Sequence, residues 1–337
     1  MTNADQSAAP LRMREVPCDY CGADEAEPYL TGRDRLCGLP GEFHVVRCAR
    51  CGLLRTNPQP VPDDLSKTYP PSYELHAAEV DLPDPPKGLL RWALVNYRGY
   101  PLGEPSSALV RALVWPVAAP KLGGRYGLPY LPYEGEGRLL DFGCSIGKYV
   151  AQMRAAGWDA EGMDLVPDAV HAGQEAGLPL TVGTLPGADL PKAHYDVVTL
   201  WHVLEHVPEP KATLEACLRI LKPGGRLAVV TPMADSLAAR WFGNAWYGLD
   251  VPRHLTHFTQ ATLSRHLEAA GFEVAERHPI RRPTFMRRSY RYRAEDTGRA
   301  RDRWRGRSRL VARLLSHWAR CRGRTDEVLF VARWPGP

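Results

Sequence analysis

The stretch LLDFGCSIGKYV, residues 139–150, constrains the fold more than any other part of the chain. An apolar run ends in a carboxylate, Asp141. A bend containing Gly143 and Gly147 follows, and then a helical pattern begins. Such a strand–turn–helix unit presents its bend to a ligand, because glycine lets the backbone approach closely. The bend is one residue short of a phosphate loop, and Tyr149 stands where a Ser or Thr would meet Mg²⁺. It is also a poor dinucleotide fingerprint, since Ser145 and Lys148 occupy the second and third glycine positions.

The next apolar run, DAEGMDL, ends in Asp164, 21 residues after Gly143. A carboxylate there can accept hydrogen bonds from both hydroxyls of a ribose. Asp141 and Asp164 make an acidic rim, which suits a ligand carrying positive charge. S-adenosylmethionine fits this description, with an adenosine, a sulfonium and an α-ammonium group.

From Gly137 onward, strand and helix patterns alternate: RLLDFG, KYVAQMRAAG, DAEGMDL, PDAVHAGQEAG, LTVG, YDVVTLW, KATLEACLRIL, RLAVVTP, QATLSRHLEAAG, FEVAERHPI and DEVLFVARW. Alternation of this kind predicts an α/β fold, a Rossmann-like seven-stranded, mostly parallel sheet with helices on both faces. Ligands of such sheets bind at the carboxyl ends of the strands. The expected organisation is a mobile tail over 1–14, a zinc-binding module over 15–58, a linker, lid and helical lead-in over 59–136, and the sheet domain over 137–337. An Arg-rich helical insert is expected over 281–324.

The small N-terminal module rests on two C-x-x-C-G knuckles, Cys18/Cys21 and Cys48/Cys51, with twenty-six residues between them. That spacing brings two thiolates of one turn to the same ion, and four thiolates leave no open position. The expectation is a structural, zinc-ribbon-like Cys₄ site for Zn²⁺.

Composition bounds the rest. The 337 residues are 44% hydrophobic and 24% charged, as in a globular protein. No apolar run reaches the roughly 18 residues that a membrane-spanning helix needs. The start, MTNADQSAAPLRMREV, has no apolar signal region, so a cytoplasmic protein is expected. The net charge of +5 hides an asymmetry: residues 281–324 hold sixteen Arg against three acids, a balance of +13. Nucleic acid or anionic lipid is one reading of that block. The other is codon bias, since the chain has 36 Arg and 7 Lys.

Taken together, LLDFGCSIGKYV, GMDL, YDVVTLWHVLEHV and LKPGGRLAVVTP resemble the class I S-adenosylmethionine-dependent methyltransferases, from about Gly137 to Phe272. The resemblance implies that Asp141, Gly143, Cys144, Ser145 and Gly147 hold the methionine part of the cofactor. It implies that Asp164 and Leu165 meet the ribose, that Thr184 and Leu185 lie near the adenine, and that Trp201 flanks the cofactor. The Cys₄ module before such a fold is similar to deoxysugar C-methyltransferases. LEHV is shared with them and with ubiquinone-pathway O-methyltransferases. The latter are metal-assisted, but His202 stands where one of their acids would be, which argues against a catalytic Mg²⁺.

Methyl transfer to a hydroxyl needs a group that removes its proton, and a histidine is suited to that near neutral pH. The resemblance points to His206 as general base, with Glu205 orienting it or acting in its place and His202 beside them. EHV as a helix-start motif is the other reading. In DVPRHLTHFT, Arg253 either clamps an acceptor anion or pairs with Asp250, and His254 and His257 border the acceptor pocket. Tyr69 and Tyr73 are candidates for a lid. The expected acceptor is a small molecule (a sugar, glycan or secondary metabolite), with O-methylation favoured over C-methylation. The alternatives are an RNA methyltransferase using the zinc module and the basic insert, or a non-catalytic scaffold that binds the cofactor.

Overall fold

The structure is a computed structural model, and it describes residues 11–69, 80, 82–123 and 128–336. Tyr73 and most of the expected N-terminal tail lie outside the described residues.

The N-terminal part carries β1 (Met13–Arg14), β2 (Ala26–Gly32), β3 (Phe43–Cys48), β4 (Leu54–Thr56) and β5 (Gln59–Pro60). A 3-10 turn, Pro62–Thr68, follows. The two apolar patches form α1 (Gly88–Arg98) and α2 (Ala108–Ala118). The alternating region then gives β6 (Arg138–Phe142), α3 (Lys148–Ala155), β7 (Asp159–Asp164), α4 (Pro167–Glu175), β8 (Leu180–Val182) and β9 (Tyr195–Trp201). It continues through α5 (Pro210–Ile220), β10 (Leu221–Pro232), α6 (Leu237–Phe242), β11 (Thr256–His257), α7 (Gln260–Ala269) and β12 (Glu273–Ile280). The Arg-rich segment is helical, as α8 (Pro283–Thr297), α9 (Ala300–Arg307) and α10 (Arg309–Cys321), before β13 (Glu327–Arg333).

The main sheet has seven strands in the order β12-β13-β10-β9-β6-β7-β8. β13 runs antiparallel to both neighbours, and the remaining pairs are parallel. Side chains alternate across it as the pleat requires. Leu140, Phe142, Val198 and Leu200 pack on one face with Leu214, Leu263 and Leu267 of α5 and α7. Leu139 and Val197 pack on the other with Ala93 and Leu94 of α1 and Met153 of α3. Every residue of β9 is buried, as expected for a strand covered on both faces. Each fully buried aliphatic side chain contributes about 1.5–3 kcal/mol relative to exposure, so this double layer carries most of the apolar stabilisation.

The strand order reverses between β6 and β9, because the chain winds outward through β7 and β8 and then returns. That reversal leaves a crevice beyond the carboxyl ends of the two strands. The second sheet, of order β11-β4-β3-β2, joins the N-terminal part to the segment after β10. β11 pairs with β4 through Thr256 opposite Arg55 and His257 opposite Leu54. The N-terminal sheet is therefore completed by a strand from the segment between β10 and α7, on a residue pattern that local spacing does not reveal.

Candidate cofactor crevice and acceptor cluster

At the end of β6 the chain turns sharply. The Gly143 amide donates to the carbonyl of Met163 at 2.7 Å, and the Gly147 amide donates to the carbonyl of Cys144 at 2.9 Å. Gly143 has φ 77° and Gly147 φ 81°, in the left-handed region that favours glycine. A Cβ at Gly143 would also sit 2.2 Å from Cγ2 of Val203. Ser145 adopts φ 51°, so it accepts a backbone geometry that a glycine would take without strain.

Asp164, at the end of β7, locks onto this turn. Its Oδ2 accepts from the Ser145 amide at 2.7 Å and its Oδ1 from the Val166 amide at 2.9 Å. A carboxylate offers about four lone-pair directions, so both oxygens keep capacity for a second donor, as a ribose diol requires. Asp141 lies beneath the turn, 2% exposed, and accepts from the Thr199 hydroxyl at 2.6 Å. Burial pushes its carboxyl up to about 7, against the Thr199 hydrogen bond and aided by the nearby charge of Asp164. A buried acid held half-protonated at neutral pH is a place where a cationic ligand has charge to gain.

The other expected cofactor residues divide. Leu165 projects its apolar side chain at the sheet edge, and Thr184 is exposed beside it in the chain's next strand-end loop. Cys144 is buried. Leu185 does not face a ligand: its side chain is in the core packed against α5, because the loop after β8 turns inward there. Trp201 is buried edge-on to Tyr149 at 5.0 Å, and its indole Nε1 has no hydrogen-bond partner among the described residues. An orphan buried donor at the end of β9 is costly unless something outside the chain satisfies it. The glycine turn, the ribose-ready carboxylate, the cation-seeking acid and this donor fit S-adenosylmethionine.

Beyond β9 lies the acceptor side. His202 sits at φ 58°, with Nδ1 3.3 Å from Glu205 Oε1 and Nε2 3.4 Å from Glu327 Oε1. Burial works against its charge, but Glu327 first and then Glu205 hold its pKa up at about 10. His202, expected beside His206 and Glu205, does lie next to Glu205. Between two carboxylates it stays an imidazolium at neutral pH, which has no lone pair to offer.

His206 is placed differently. Its Nδ1 lies 3.1 Å from the backbone carbonyl of Arg253 and 3.1 Å from the Tyr69 hydroxyl. A carbonyl can only accept, so the proton is assigned to Nδ1 and the lone pair to Nε2. Glu205 is 1% exposed, and neither carboxylate oxygen has a hydrogen bond of good geometry among the described residues. Its backbone carbonyl accepts from the Leu255 and Thr256 amides at 2.8 and 3.1 Å, which fastens the 250–257 segment here.

In that segment, expected to border the acceptor, Arg253, His254 and His257 are all buried. Arg253 is fully buried and forked between Asp34, at 2.5 and 3.0 Å, and Asp250, at 2.6 Å. It also donates to the Thr68 carbonyl at 3.0 Å. Its guanidinium is saturated, so the clamp on an acceptor anion gives way to the ion-pair reading, with Asp34 as a partner that no local pattern announced. His257 is buried on β11 with Nε2 3.0 Å from the Thr56 hydroxyl, which itself donates to the His254 carbonyl. Burial, with the neighbouring His206, pushes His257 down to about 3, so it is neutral and structural.

His254 does reach the cluster. Its ring is 4.6 Å from that of His206, its Nδ1 donates to the Gly248 carbonyl at 3.0 Å, and burial holds its pKa well below the usual range. One ligand atom each from Glu205, His206 and His254 lies within 4.8 Å of the others. Two imidazoles and a carboxylate suit borderline transition-metal ions; Mg²⁺ prefers an all-oxygen shell, so these residues do not fit it.

Glu327 and Asp34 are the residues that sequence reading missed. Glu327 is a buried acid at the head of an otherwise apolar strand, a signal that could have marked it. Nothing in GRDRLCG distinguishes Asp34.

At the other end of the N-terminal sheet, Cys18 Sγ and Cys51 Sγ are 3.4 Å apart and Cys21 Sγ and Cys48 Sγ 3.6 Å. All four sulfurs lie within 4.8 Å of one another. A tetrahedral ion with Zn–S of about 2.3 Å puts its sulfurs about 3.8 Å apart. The knuckle glycines, Gly22 and Gly52, close each turn at φ 69° and 76°, and their amides donate to Cys18 and Cys48 carbonyls. The donor set and its spacing fit Zn²⁺.

Residues 122–277 match a family model described as a methyltransferase domain. Over 154 residues the chain is 30% identical to a ubiquinone biosynthesis O-methyltransferase of Xanthomonas euvesicatoria pv. vesicatoria (strain 85-10), covering 41% of this chain and 64% of that protein. It is 36% identical over 95 residues to the Bordetella avium (strain 197N) protein of the same name, covering 26% of this chain and 39% of the relative. The chain thus spans less than two thirds of the length of either relative. A solved S-adenosylmethionine-dependent methyltransferase from Archaeoglobus fulgidus shares 19% identity at a TM-score of 0.42, over 68% of this chain and 95% of its own. The matched stretch holds β6 to β9, the glycine turn and Asp164, and with the strand order of the sheet it supports a class I S-adenosylmethionine-dependent methyltransferase domain over those residues.

Proposed function

We propose that the protein methylates a hydroxyl of a small-molecule acceptor, a sugar, glycan or secondary metabolite, with His206 as general base. The observation that carries this is the anchoring of His206 Nδ1 to the Arg253 carbonyl, which leaves Nε2 as the basic nitrogen at the end of β9. S-adenosylmethionine supplies an activated methyl group on sulfur when bound. The chain's residues do the rest: Asp164 and the Gly143–Gly147 turn hold the nucleoside and the amino-acid end, and Asp141 meets positive charge. His206 Nε2 takes the hydroxyl proton, while the Arg253 carbonyl, His254 and Tyr69 hold the imidazole in place and Glu205 lies beside it. The imidazolium of His202 stands between Glu327 and Glu205, at 3.4 and 3.3 Å. Oxygen is favoured over carbon as the acceptor atom because the relatives described above are O-methyltransferases by name and because the free Nε2 of an imidazole is suited to taking a hydroxyl proton. Four thiolates at Cys18, Cys21, Cys48 and Cys51 hold a structural Zn²⁺, in a module with the boundaries given above.

The test is His206→Ala, assayed for S-adenosylhomocysteine release with hydroxylated acceptors and for cofactor binding by calorimetry. Turnover is expected to fall about 10²–10⁴-fold, the usual contribution of a general base, with cofactor affinity unchanged. Turnover that survives the substitution would remove His206 from the role. Loss of cofactor binding as well would make the residue structural.

A further inference from the structure

The Arg-rich insert reaches the site only at its start, where Arg282 donates to Glu327 at 2.7 Å; its last helix supplies none of the site residues named above and is built unusually. α10 turns Ala312, Ser316 and Ala319 inward, small residues that let it lie close against the body. On another face Leu310, Leu314 and Trp318 recur at every fourth position and are 68%, 60% and 38% exposed. Trp241 of α6, also exposed, stacks on Trp318 at 5.4 Å and extends the apolar stripe beyond the helix. A stripe of large apolar side chains this regular on a surface marks a contact.

Its flank is cationic. Arg309, Arg313 and Arg320 share one exposed side of α10, about 100° or more around the helix from the middle of the stripe. Arg322 lies over the Trp318 ring at 5.1 Å. The acids nearby do not neutralise them. Asp296 is taken by Arg33 and Arg35 at 2.8 and 2.6 Å, and Asp302 is buried against Arg293 at 3.0 Å. Each of these pairs uses another arginine, so the four on and after α10 keep their charge.

We propose that α10, with Trp241, docks the protein on an anionic lipid bilayer. The helix lies in the plane of the interface, with Leu310 and Leu314 entering the acyl boundary, the two indoles at the headgroup level and the arginines on lipid phosphates. Charge complementarity selects this occupant. Pairing two copies through the stripe would bring their arginine rows together, and a nucleic acid would use the arginines while leaving both leucines in water. Thirteen residues give a helix about 20 Å long, enough for a surface anchor and too short to span. The inference does not depend on the acceptor or on His206, and either can fail alone.

The full chain is to be floated with vesicles of pure phosphatidylcholine and of phosphatidylcholine with about 30 mol% phosphatidylglycerol. At least about tenfold tighter binding to the anionic vesicles is expected, with a blue shift in tryptophan emission. Leu314→Ser with Trp318→Ser should weaken binding by about tenfold or more, since lipid affinity scales with buried apolar area. Arg309→Gln with Arg313→Gln should weaken it about tenfold and flatten its salt dependence. Circular dichroism and thermal unfolding of both variants should match the parent, because the replaced side chains are exposed. Equal binding to both vesicle types, or anionic binding that survives the apolar pair of substitutions, would overturn the proposal. So would self-association without vesicles that the apolar pair abolishes, or RNA binding in place of vesicle binding.

Discussion

The two ends of the crevice are built by opposite means. At the cofactor end, Asp141, Gly143, Ser145 and Asp164 belong to two consecutive strand–turn–helix units, which the bond from the Ser145 amide to Asp164 ties together. At the acceptor end, four distant segments converge: Tyr69 after the 3-10 turn, Glu205 and His206 after β9, the 250–257 segment, and Glu327 on the last strand. The lesson is that a ligand recognised through backbone and a single carboxylate can be served by local structure. Proton chemistry needs charges of opposite sign buried side by side, and those come from wherever the fold brings them.

The largest effect that would break this comparison is on Arg253. Its guanidinium is buried between Asp34 and Asp250, and it joins the N-terminal sheet to the segment whose carbonyl anchors His206. Arg253→Met leaves Asp34 charged and buried without its partner. A loss of about 3–5 kcal/mol in unfolding free energy is expected, read from urea titration. A loss under about 1 kcal/mol, the range of exposed pairs, would mean that the acceptor end does not depend on this long-range link.

Next in size is Asp164→Ala at the cofactor end. Hydrogen bonds to a charged group are worth about 1.5–3 kcal/mol each, so cofactor affinity by calorimetry should fall about 30-fold or more. Asp164→Asn, which keeps an acceptor for the turn amides, should fall less. An unchanged affinity in both would refute the ribose assignment.

The smallest effect concerns pH. The carboxyl of Asp141, raised to about 7 by burial, is neutral in acid and ionised above neutrality. A raised acid stabilises the ligand-free fold fully below the ordinary carboxylate range, and that contribution is lost as pH climbs through about 7. A cationic ligand reverses the preference, because it favours the ionised form. Its affinity should therefore rise with pH by up to about tenfold per unit below pH 7 and level off above. Asp141→Asn should flatten the profile, and a parent profile already flat from pH 5.5 to 8 would show that no cation sits over Asp141.

Much of the cofactor end could be read before any coordinates. The turn, Asp164 and the parallel sheet follow from apolar runs of strand length ending in carboxylates, a periodicity that neighbouring residues set by themselves. The Cys knuckles follow likewise, since two thiols and a glycine within five residues define their own turn. Leu185 was misplaced because a loop residue has no periodicity to say which way it points. Arg253 and His257 were misplaced for a different reason: a basic residue in a polar loop looks the same in sequence whether it meets solvent or a buried acid.

What the sequence determined by itself is thus the set of local machines: two Cys knuckles, a glycine bend, a carboxylate at the end of the next strand, an arginine-rich helical segment. Only the tertiary structure decided charge states and partners. It made His202 a fixed cation by adding Glu327, made His257 neutral by burying it on β11, and took Arg253 from the acceptor by supplying Asp34 from 219 residues away. The reason is physical: the free energy of an ionisable group is set by burial and by charges within a few ångströms, and chain order does not encode that distance.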